Sequence, residues 1–181
     1  MIEKIIKQRK SVRIFNNQEV SIDEIYELLD IARFAPSGKN RQPWKLKIIE
    51  KADKEGFLSL IQNKYKNEKL PGSLGISLQA ISQSDKLILV FNPYSYSEDS
   101  YSKNTMLMDT QSIGAFIQCF LLLLTERGIS TLWINDIYHV KEKIERKYAD
   151  NKHEVIAAIA IGYSHKERKY NIRKELDEII L

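Results

Sequence analysis

Apolar residues recur at intervals of three and four along five segments of the chain, and they alternate with polar residues or form short runs in four others. The first pattern predicts helices and the second predicts strands. The predicted helices span 1–9, 21–34, 51–65, 106–127 and 140–148, and the predicted strands span 44–49, 86–91, 131–135 and 155–161. A loop is predicted before residue 86, where proline and glycine cluster at 71–75, and a mobile loop at 94–103, where serine and tyrosine show no period.

The second predicted helix has the clearest start signal in the chain. Ser21 and Glu24 have the spacing of a capping box, in which each side chain binds the backbone of the other residue. Val20 and Ile25 can pack together as a hydrophobic staple, and Pro36 forbids continuation of the helix.

The long helix 106–127 is apolar all round its centre, which predicts burial on every side. A chain this small has little room to bury a helix completely, so we expect a partner subunit to cover part of it. The longest apolar run, 113–124, is shorter than the ~20 residues of a membrane span, and residues 1–10 lack the apolar stretch of a secretory signal. We therefore expect a cytoplasmic protein without a membrane segment.

Composition limits the class of protein. The 181 residues, 43% of them hydrophobic and 29% charged, predict one domain over 1–181. The single cysteine, Cys119, excludes an intramolecular disulfide and is expected to be a small buried apolar residue in its helix. His139, His153 and His165 lack the spacing of metal ligands, so no metal site is expected.

The 28 basic and 24 acidic residues give a formal charge of +4 and a pI near 9.0. An excess of basic residues can indicate nucleic-acid binding. Here the basic residues are mixed with acidic ones, as in 51–55 and 141–147, which is typical of solvated helix faces. We expect a small anionic ligand and no nucleic acid.

The first candidate site is the segment Arg9, Lys10, Ser11, Val12, Arg13. In an extended chain, alternate residues point the same way, so Arg9, Ser11 and Arg13 can converge on one polyanion such as a phosphate. The alternative is a basic helix end whose cations only complement the helix dipole.

The second candidate site is the segment 35–44, which joins the capped helix to the first predicted strand. Two prolines restrict its backbone, while Ser37, Asn40 and Gln42 present hydroxyl and amide groups suited to the edge of a planar heterocycle. The alternative is an ordinary helix-to-strand loop, because these residue types are common in turns.

Together these segments resemble the FMN-dependent nitroreductase family. The family has an Arg-x-Ser-x-Arg/Lys segment near its N-terminus and an Ala-Pro-Ser-x-x-Asn-x-Gln-Pro-Trp segment after the next helix, and 9–13 and 35–44 match them. The resemblance continues through 117–118 and 128–134, which are similar to the family's central dimer helix and following strand. It ends with 160–163 and the basic tail 173–176.

The resemblance implies roles for individual residues. Arg9, Lys10, Ser11 and Arg13, with Arg173, would hold the phosphate and pyrimidine edge of FMN. The residues expected around the isoalloxazine ring are Pro36, Ser37, Asn40, Gln42, Ile134 and Asn135. Trp44 and Trp133 are expected in the core beside the cofactor.

The chain departs from the family pattern at three places. Asn135 and Asp136 follow Ile134 where many members have Glu-Gly or Gly-Gly near flavin N5. Cys119 and Ser130 stand where Asn and Gly are common. The chain is short, so the cover over the substrate pocket is expected to reduce to the tyrosine-rich loop 94–101.

The resemblance implies an α+β fold in which helices wrap a mostly antiparallel sheet, and an interlocked homodimer with two FMN sites between the subunits. The implied activity passes two electrons from NAD(P)H through FMN to nitroaromatic, quinone or similar small-molecule acceptors, by a ping-pong mechanism and with no obligatory acid or base. Two alternatives stay open: a reductive dehalogenase on the same fold, and a non-catalytic flavin-binding or redox-sensing protein.

Overall fold

A computed structural model describes residues 2–97, 101–165 and 172–181. The helices are α1 (Ile2–Gln8), α2 (Ile22–Ala32), α3 (Lys54–Lys64), α4 (Leu74–Gln83), α5 (Lys103–Glu126) and α6 (Lys141–Ala149). The strands are β1 (Lys45–Ile49), β2 (Lys86–Asn92), β3 (Ser130–Ile134) and β4 (Glu154–Gly162). Short 3-10 helices occupy Gly38–Asn40, Lys51–Asp53, Asp136–Val140 and Leu176–Glu178.

The strands form one sheet in the order β1-β2-β4-β3, and every neighbouring pair is antiparallel. The pair Ile88 and Ile159 lies at the centre, where β2 meets β4. The register shifts after Val90, so that one extra residue of β4 is left opposite β2. Every residue of β2 is buried, which explains why this strand appears in the sequence as an apolar run without alternation.

Helices cover both faces of the sheet. One face packs its side chains with α3, α4 and α6 in a core that includes Phe57, Ile81 and Ile144. The other face packs with α2 and α5 in a second core that includes Leu28 and Phe116. The expected α+β architecture, a mostly antiparallel sheet wrapped by helices, is therefore confirmed.

All four strands and five of the helices were predicted with their ends correct to a few residues. The helix that sequence analysis missed is α4, which was predicted as part of a loop. Gly75 lies in the first turn of α4, where the backbone N–H groups have no partner within the helix and glycine is tolerated. The helix forms because Leu74, Ser77 and Ile81 lie on one face and are all buried.

The predicted capping box at α2 is wrong. Ser21 is the N-cap residue, but within the described chain its side chain makes no capping hydrogen bond, and its hydroxyl is on the exposed surface. The Glu24 carboxylate lies 3.6 Å from the guanidinium of Arg127, so a cation after α5 draws it away from the capping position. Val20 and Ile25 are both fully buried in the same core, as the hydrophobic staple requires.

Helix α5 is buried along one face and not all round, which corrects the sequence prediction. Its buried residues follow helical spacing and are Asp109, Ser112, Ile113, Phe116, Ile117, Phe120, Leu121 and Leu124. The opposite face leaves Leu107 57% exposed and includes the exposed Gln118. By length and composition α5 could cross a membrane, but its buried face belongs to the core of this fold.

Candidate functional site

The segment 36–42 is a tight loop with an unusual backbone. Lys39, Asn40 and Gln42 have positive φ values of 53°, 54° and 50°. Such left-handed conformations cost a residue with a side chain about 1–3 kcal/mol each, and they persist where the surrounding structure fixes them. The loop therefore has a defined shape that differs from that of an ordinary turn.

Hydrogen bonds inside the loop and to α5 hold this shape. The Ser37 hydroxyl oxygen accepts a hydrogen bond from the Gln42 amide at 3.0 Å. The Gly38 amide donates to the Ser112 hydroxyl at 3.1 Å, which ties the loop to the buried face of α5. The side chains of Asn40 and Gln42 remain exposed, so their amides are available to a ligand.

Arg41 connects the same loop to α5 by an ion pair. Its Nε atom lies 2.9 Å from Oδ1 of Asp109, and its second nitrogen lies 3.1 Å from Oδ2. Two parallel bonds of this kind fix the guanidinium in position as well as in charge. The Asp109 side chain has no exposure to solvent, while that of Arg41 is 21% exposed.

Two tyrosines from the tyrosine-rich loop complete the contacts of this pair. Tyr101 donates to Oδ2 of Asp109 at 3.1 Å and accepts a hydrogen bond from the Asn92 side chain at 2.6 Å. Tyr94 donates to the Arg41 carbonyl at 3.2 Å, and its ring lies 4.5 Å from the Arg41 guanidinium. Burial raises the pKa of Tyr101 to about 12, so its phenol stays protonated and remains a donor.

These contacts tie the described part of the predicted loop 94–103 to the rest of the fold. Tyr94 and Tyr101 are half-buried and bonded, and α5 already begins at Lys103. Tyr96 is 49% exposed, and its hydroxyl donates to Glu145 at 3.1 Å. Residues 98–100 of the same loop lie outside the described residues.

The basic segment 9–13 leaves α1 and runs beside β3. Ser11 forms a parallel bridge with Thr131, and the Val12 amide donates to the Thr131 carbonyl at 2.8 Å. The chain is thus extended at Ser11, as predicted. Arg13 is exposed and Arg9 is half-buried at the end of α1.

The two candidate segments lie near opposite ends of α5 in the single chain. The loop 36–42 contacts α5 at 108–112, whereas α1, which leads into 9–13, lines a groove with Leu122 and Leu123. Ten or more residues of helix separate these contacts, or roughly 15–20 Å along the axis. Arg173 is exposed, in the described tail 172–181.

The two residues that depart from the family pattern, 135 and 136, follow the end of β3. Ile134 is buried, and Asn135 is exposed at the point where the strand ends. The Asp136 carboxylate accepts hydrogen bonds from the hydroxyls of Ser73 at 2.6 Å and Ser77 at 2.9 Å. Asp136 therefore serves the first turn of α4, where negative charge complements the helix dipole, a role that sequence analysis missed because it missed α4.

Three further expectations are corrected in part. Trp44 stacks on Phe116 with ring centroids 4.9 Å apart, so it does contact the core, although it is only half-buried. Trp133 is 36% exposed and lies over Gly114 on the outer face of α5. Cys119 is half-buried and not fully buried.

A cavity of about 780 Å³ lies elsewhere, between β1 and α3, and its lining includes Lys47, Gly56 and Lys147. None of the predicted site residues lines it. Within the described chain, no group of three histidine, cysteine or acidic residues is placed to hold a metal ion.

Comparison with known proteins agrees with the geometry. The model of the nitroreductase family matches residues 6–163, which include both candidate segments and the whole sheet. The chain belongs to the nitroreductase family. Members of this family are oxidoreductases, so the class of chemistry follows from membership.

Related proteins and solved structures match almost the whole chain. A 4-nitrobenzoate reductase from Pseudomonas putida is 24% identical, over 92% of this chain and 87% of that enzyme. An iodotyrosine deiodinase from Thermotoga neapolitana is 25% identical, over 90% and 88% of the two chains.

The crystal structure of a nitroreductase-like protein from Bacillus cereus is 26% identical and covers 100% of this chain and 95% of its own, with a TM-score of 0.85. A putative nitroreductase from Desulfovibrio desulfuricans, solved in complex with FMN, is 21% identical, with coverage of 99% and 95% and a TM-score of 0.77.

Proposed function

We propose that this nitroreductase-family protein binds FMN and passes two electrons from NADH or NADPH to nitroaromatic, quinone or similar small acceptors. The observation that carries the proposal is the pair of segments 9–13 and 36–42, whose exposed cations and amides would supply complementary halves of an FMN site. The whole chain, 1–181, is expected to act as one domain.

The chemistry of the donors fits this cofactor. Arg9, Lys10, Ser11 and Arg13 offer three cations and a hydroxyl for the phosphate and the pyrimidine edge of FMN, and Arg173 adds a fourth cation at the phosphate. The exposed amides of Asn40 and Gln42 suit the polar edge of a flavin, and Pro36 and Ser37 provide its apolar and hydroxyl neighbours. Ile134 and Asn135 end β3 on the side expected to face flavin N5.

The separation of the two segments along α5 favours a site between two subunits. A homodimer that packs the outer faces of α5 together would bring 9–13 of one subunit towards 36–42 of its partner. It would also cover the apolar side chains that one chain leaves on that face, such as Leu107. The proposed oligomer is therefore a homodimer with two equivalent sites.

When bound, FMN supplies two-electron transfer, which no side chain of the protein performs. The protein contributes binding and charge. Arg13 would place a cation at the pyrimidine edge, where reduction builds negative charge, and so favour the reduced state of the ring. Donor and acceptor are expected to occupy the same open face in turn, which gives ping-pong kinetics without an obligatory acid or base.

Anaerobic spectral titration of the purified protein tests the proposal. We expect a flavin spectrum that NADH or NADPH bleaches and that 4-nitrobenzoate or a quinone restores. A colourless protein that gains no flavin spectrum on addition of FMN would refute the cofactor. A flavin spectrum that neither nicotinamide bleaches would favour the non-catalytic alternative, a flavin-binding or redox-sensing protein.

The relative from Thermotoga neapolitana supports one further arm of the same assay. That relative is an iodotyrosine deiodinase, and it matches nearly the whole chain. Reduced protein should be offered iodotyrosine beside the nitroaromatic acceptors. Iodide release faster than nitro-group reduction would favour the dehalogenase alternative.

A further inference from the structure

Five residues form a closed ring of contacts around the base of the loop 36–42. Arg41 pairs with Asp109, Asp109 accepts from Tyr101, and Tyr101 accepts from Asn92. The Asn92 side-chain oxygen accepts the Tyr94 amide at 2.9 Å, and the Tyr94 hydroxyl returns to the Arg41 carbonyl. The ring thus joins the loop to the end of β2, to the tyrosine-rich loop and to the start of α5.

Two members of this ring are fully buried, which makes its hydrogen bonds necessary. Asp109 and Asn92 have no exposure to solvent, so their polar atoms depend on the protein partners that the ring supplies. Asp109 receives two bonds from Arg41 and one from Tyr101, so both of its oxygens have donors within the ring. The ring therefore has one arrangement that satisfies its members.

The position of Arg41 links the ring of contacts to the proposed flavin site. Arg41 lies between Asn40 and Gln42, both of which have positive φ values. Holding the guanidinium in a two-bond fork fixes the backbone on each side of it, and with it the directions of the two exposed amides.

We propose that Arg41 and Asp109 are positioning residues, which hold Asn40 and Gln42 in the conformation that binds the flavin ring. Tyr101 and Asn92 support Asp109, and Tyr94 links the tyrosine-rich loop to the same backbone. The inference rests on the proposed FMN site and adds the residues that shape it.

Variants that remove one kind of contact from the ring, while keeping a side chain of similar size, test the proposal. Arg41→Lys keeps a positive charge but loses the two-bond fork, and Asp109→Asn keeps the size of the side chain but loses its charge. Tyr101→Phe removes the hydroxyl and its two hydrogen bonds, to Asp109 and from Asn92, but keeps the aromatic side chain, so it serves if Asp109→Asn does not fold. The matched control is Arg33→Lys, because Arg33 pairs with Asp30 at 2.7 Å at the exposed C-terminal end of α2.

The first measurement needs no flavin. Trypsin cleavage between Lys39 and Asn40 in the apoprotein, followed by mass spectrometry, reports how firmly the loop is held. We expect Arg41→Lys and Asp109→Asn to be cleaved about tenfold faster than wild type, the factor that corresponds to one lost charge-assisted hydrogen bond. Arg33→Lys should match wild type. Equal cleavage in all four proteins would overturn the proposal.

The second measurement is FMN affinity, by quenching of flavin fluorescence, together with the visible circular dichroism of bound flavin. We expect about tenfold weaker binding and an altered dichroism spectrum in the ring variants, with dimer content unchanged. Faster cleavage with wild-type affinity and dichroism would refute the positioning role. If wild type itself binds no FMN, the proposed function fails, whereas equal cleavage rates would refute the positioning inference.

Discussion

Gly38 lies so close to Met108 that a Cβ atom on the glycine would be 2.2 Å from the methionine sulfur and 2.3 Å from its Cγ. The contact brings the backbone of the loop 36–42 directly onto α5, where the Gly38 amide also binds Ser112. A glycine is needed here for close approach and not for an unusual φ angle. The residue belongs to the packing that gives the loop its shape.

We expect Gly38→Ala to destabilise the protein by about 1–3 kcal/mol, because either the loop or Met108 must move to admit the methyl group. The displaced loop should also bind FMN more weakly. Urea unfolding of the apoprotein and FMN titration measure the two effects.

Gly75→Ala is the matched control. A Cβ atom at Gly75 would meet Leu70 at 3.6 Å, an ordinary contact, and alanine favours the helix there, so stability should be equal or about 0.5–1 kcal/mol higher. The double variant Gly38→Ala/Met108→Ala should regain part of the lost FMN affinity. Wild-type stability and affinity in Gly38→Ala would show that Met108 moves without cost.

The sequence was a good guide to elements with a strong local period and a poor one where local signals conflicted. The strands and α2 carry clear patterns and were predicted. Helix α4 has Leu74, Ser77 and Ile81 at helical spacing. Pro71 and Gly75 are typical of a loop, however, and a loop was predicted because of them. Tertiary burial decides such a case, and burial is not visible in one sequence.

For the candidate site, the sequence identified the two segments but not their supports. Arg41 and Asp109 are 68 residues apart, and no local pattern links them. The separation of 9–13 from 36–42 along α5 was equally invisible, because it depends on how α1 packs against that helix. Asp136 was noticed as a departure from the family, but its partners Ser73 and Ser77 lie at the start of a helix that was not predicted.

The buried Lys54 should make stability depend on pH. Its ammonium binds the carbonyls of Ile81 at 3.0 Å and Ser82 at 3.3 Å, as well as that of Ser84. Burial lowers the pKa of Lys54 from 10.5 to about 8, although the Asp85 carboxylate opposes the shift.

Between pH 8 and 10.5 the unfolded chain therefore binds a proton that the folded chain has released, so rising pH favours folding through this group. We expect the unfolding free energy of wild type, minus that of Lys54→Met, to rise by about 1–2 kcal/mol over this range, after allowance for solvent screening. Urea unfolding at several pH values measures the difference. A constant difference would contradict the lowered pKa.

The proposed dimer can be tested at Gln118, which is exposed on the outer face of α5 in the single chain. Gln118→Arg should leave the chain folded, since solvent can reach the new side chain in a monomer. In the dimer the arginine would be buried without a partner, so we expect dissociation and loss of FMN. Sedimentation should show wild type as a dimer and the variant near 21.1 kDa.

The control is Glu55→Arg, on the exposed surface of α3, which should remain a dimer. A wild-type monomer that is loaded with FMN would refute the interface.

Arg13 is the residue whose removal decides between a flavin site and a basic helix end. If it lies beside the flavin edge, Arg13→Ala removes a charge-assisted hydrogen bond and a cation that favours the reduced ring, each worth about 1.5–3 kcal/mol. The variant should bind FMN more weakly and show a lower flavin reduction potential. Its fold and dimer should survive, because Arg13 is exposed and fills no core volume. Arg33→Ala removes an exposed arginine just after α2, outside both segments, and should leave affinity and potential unchanged. Equal affinity and potential in wild type and Arg13→Ala would show that 9–13 is only a solvated basic helix end.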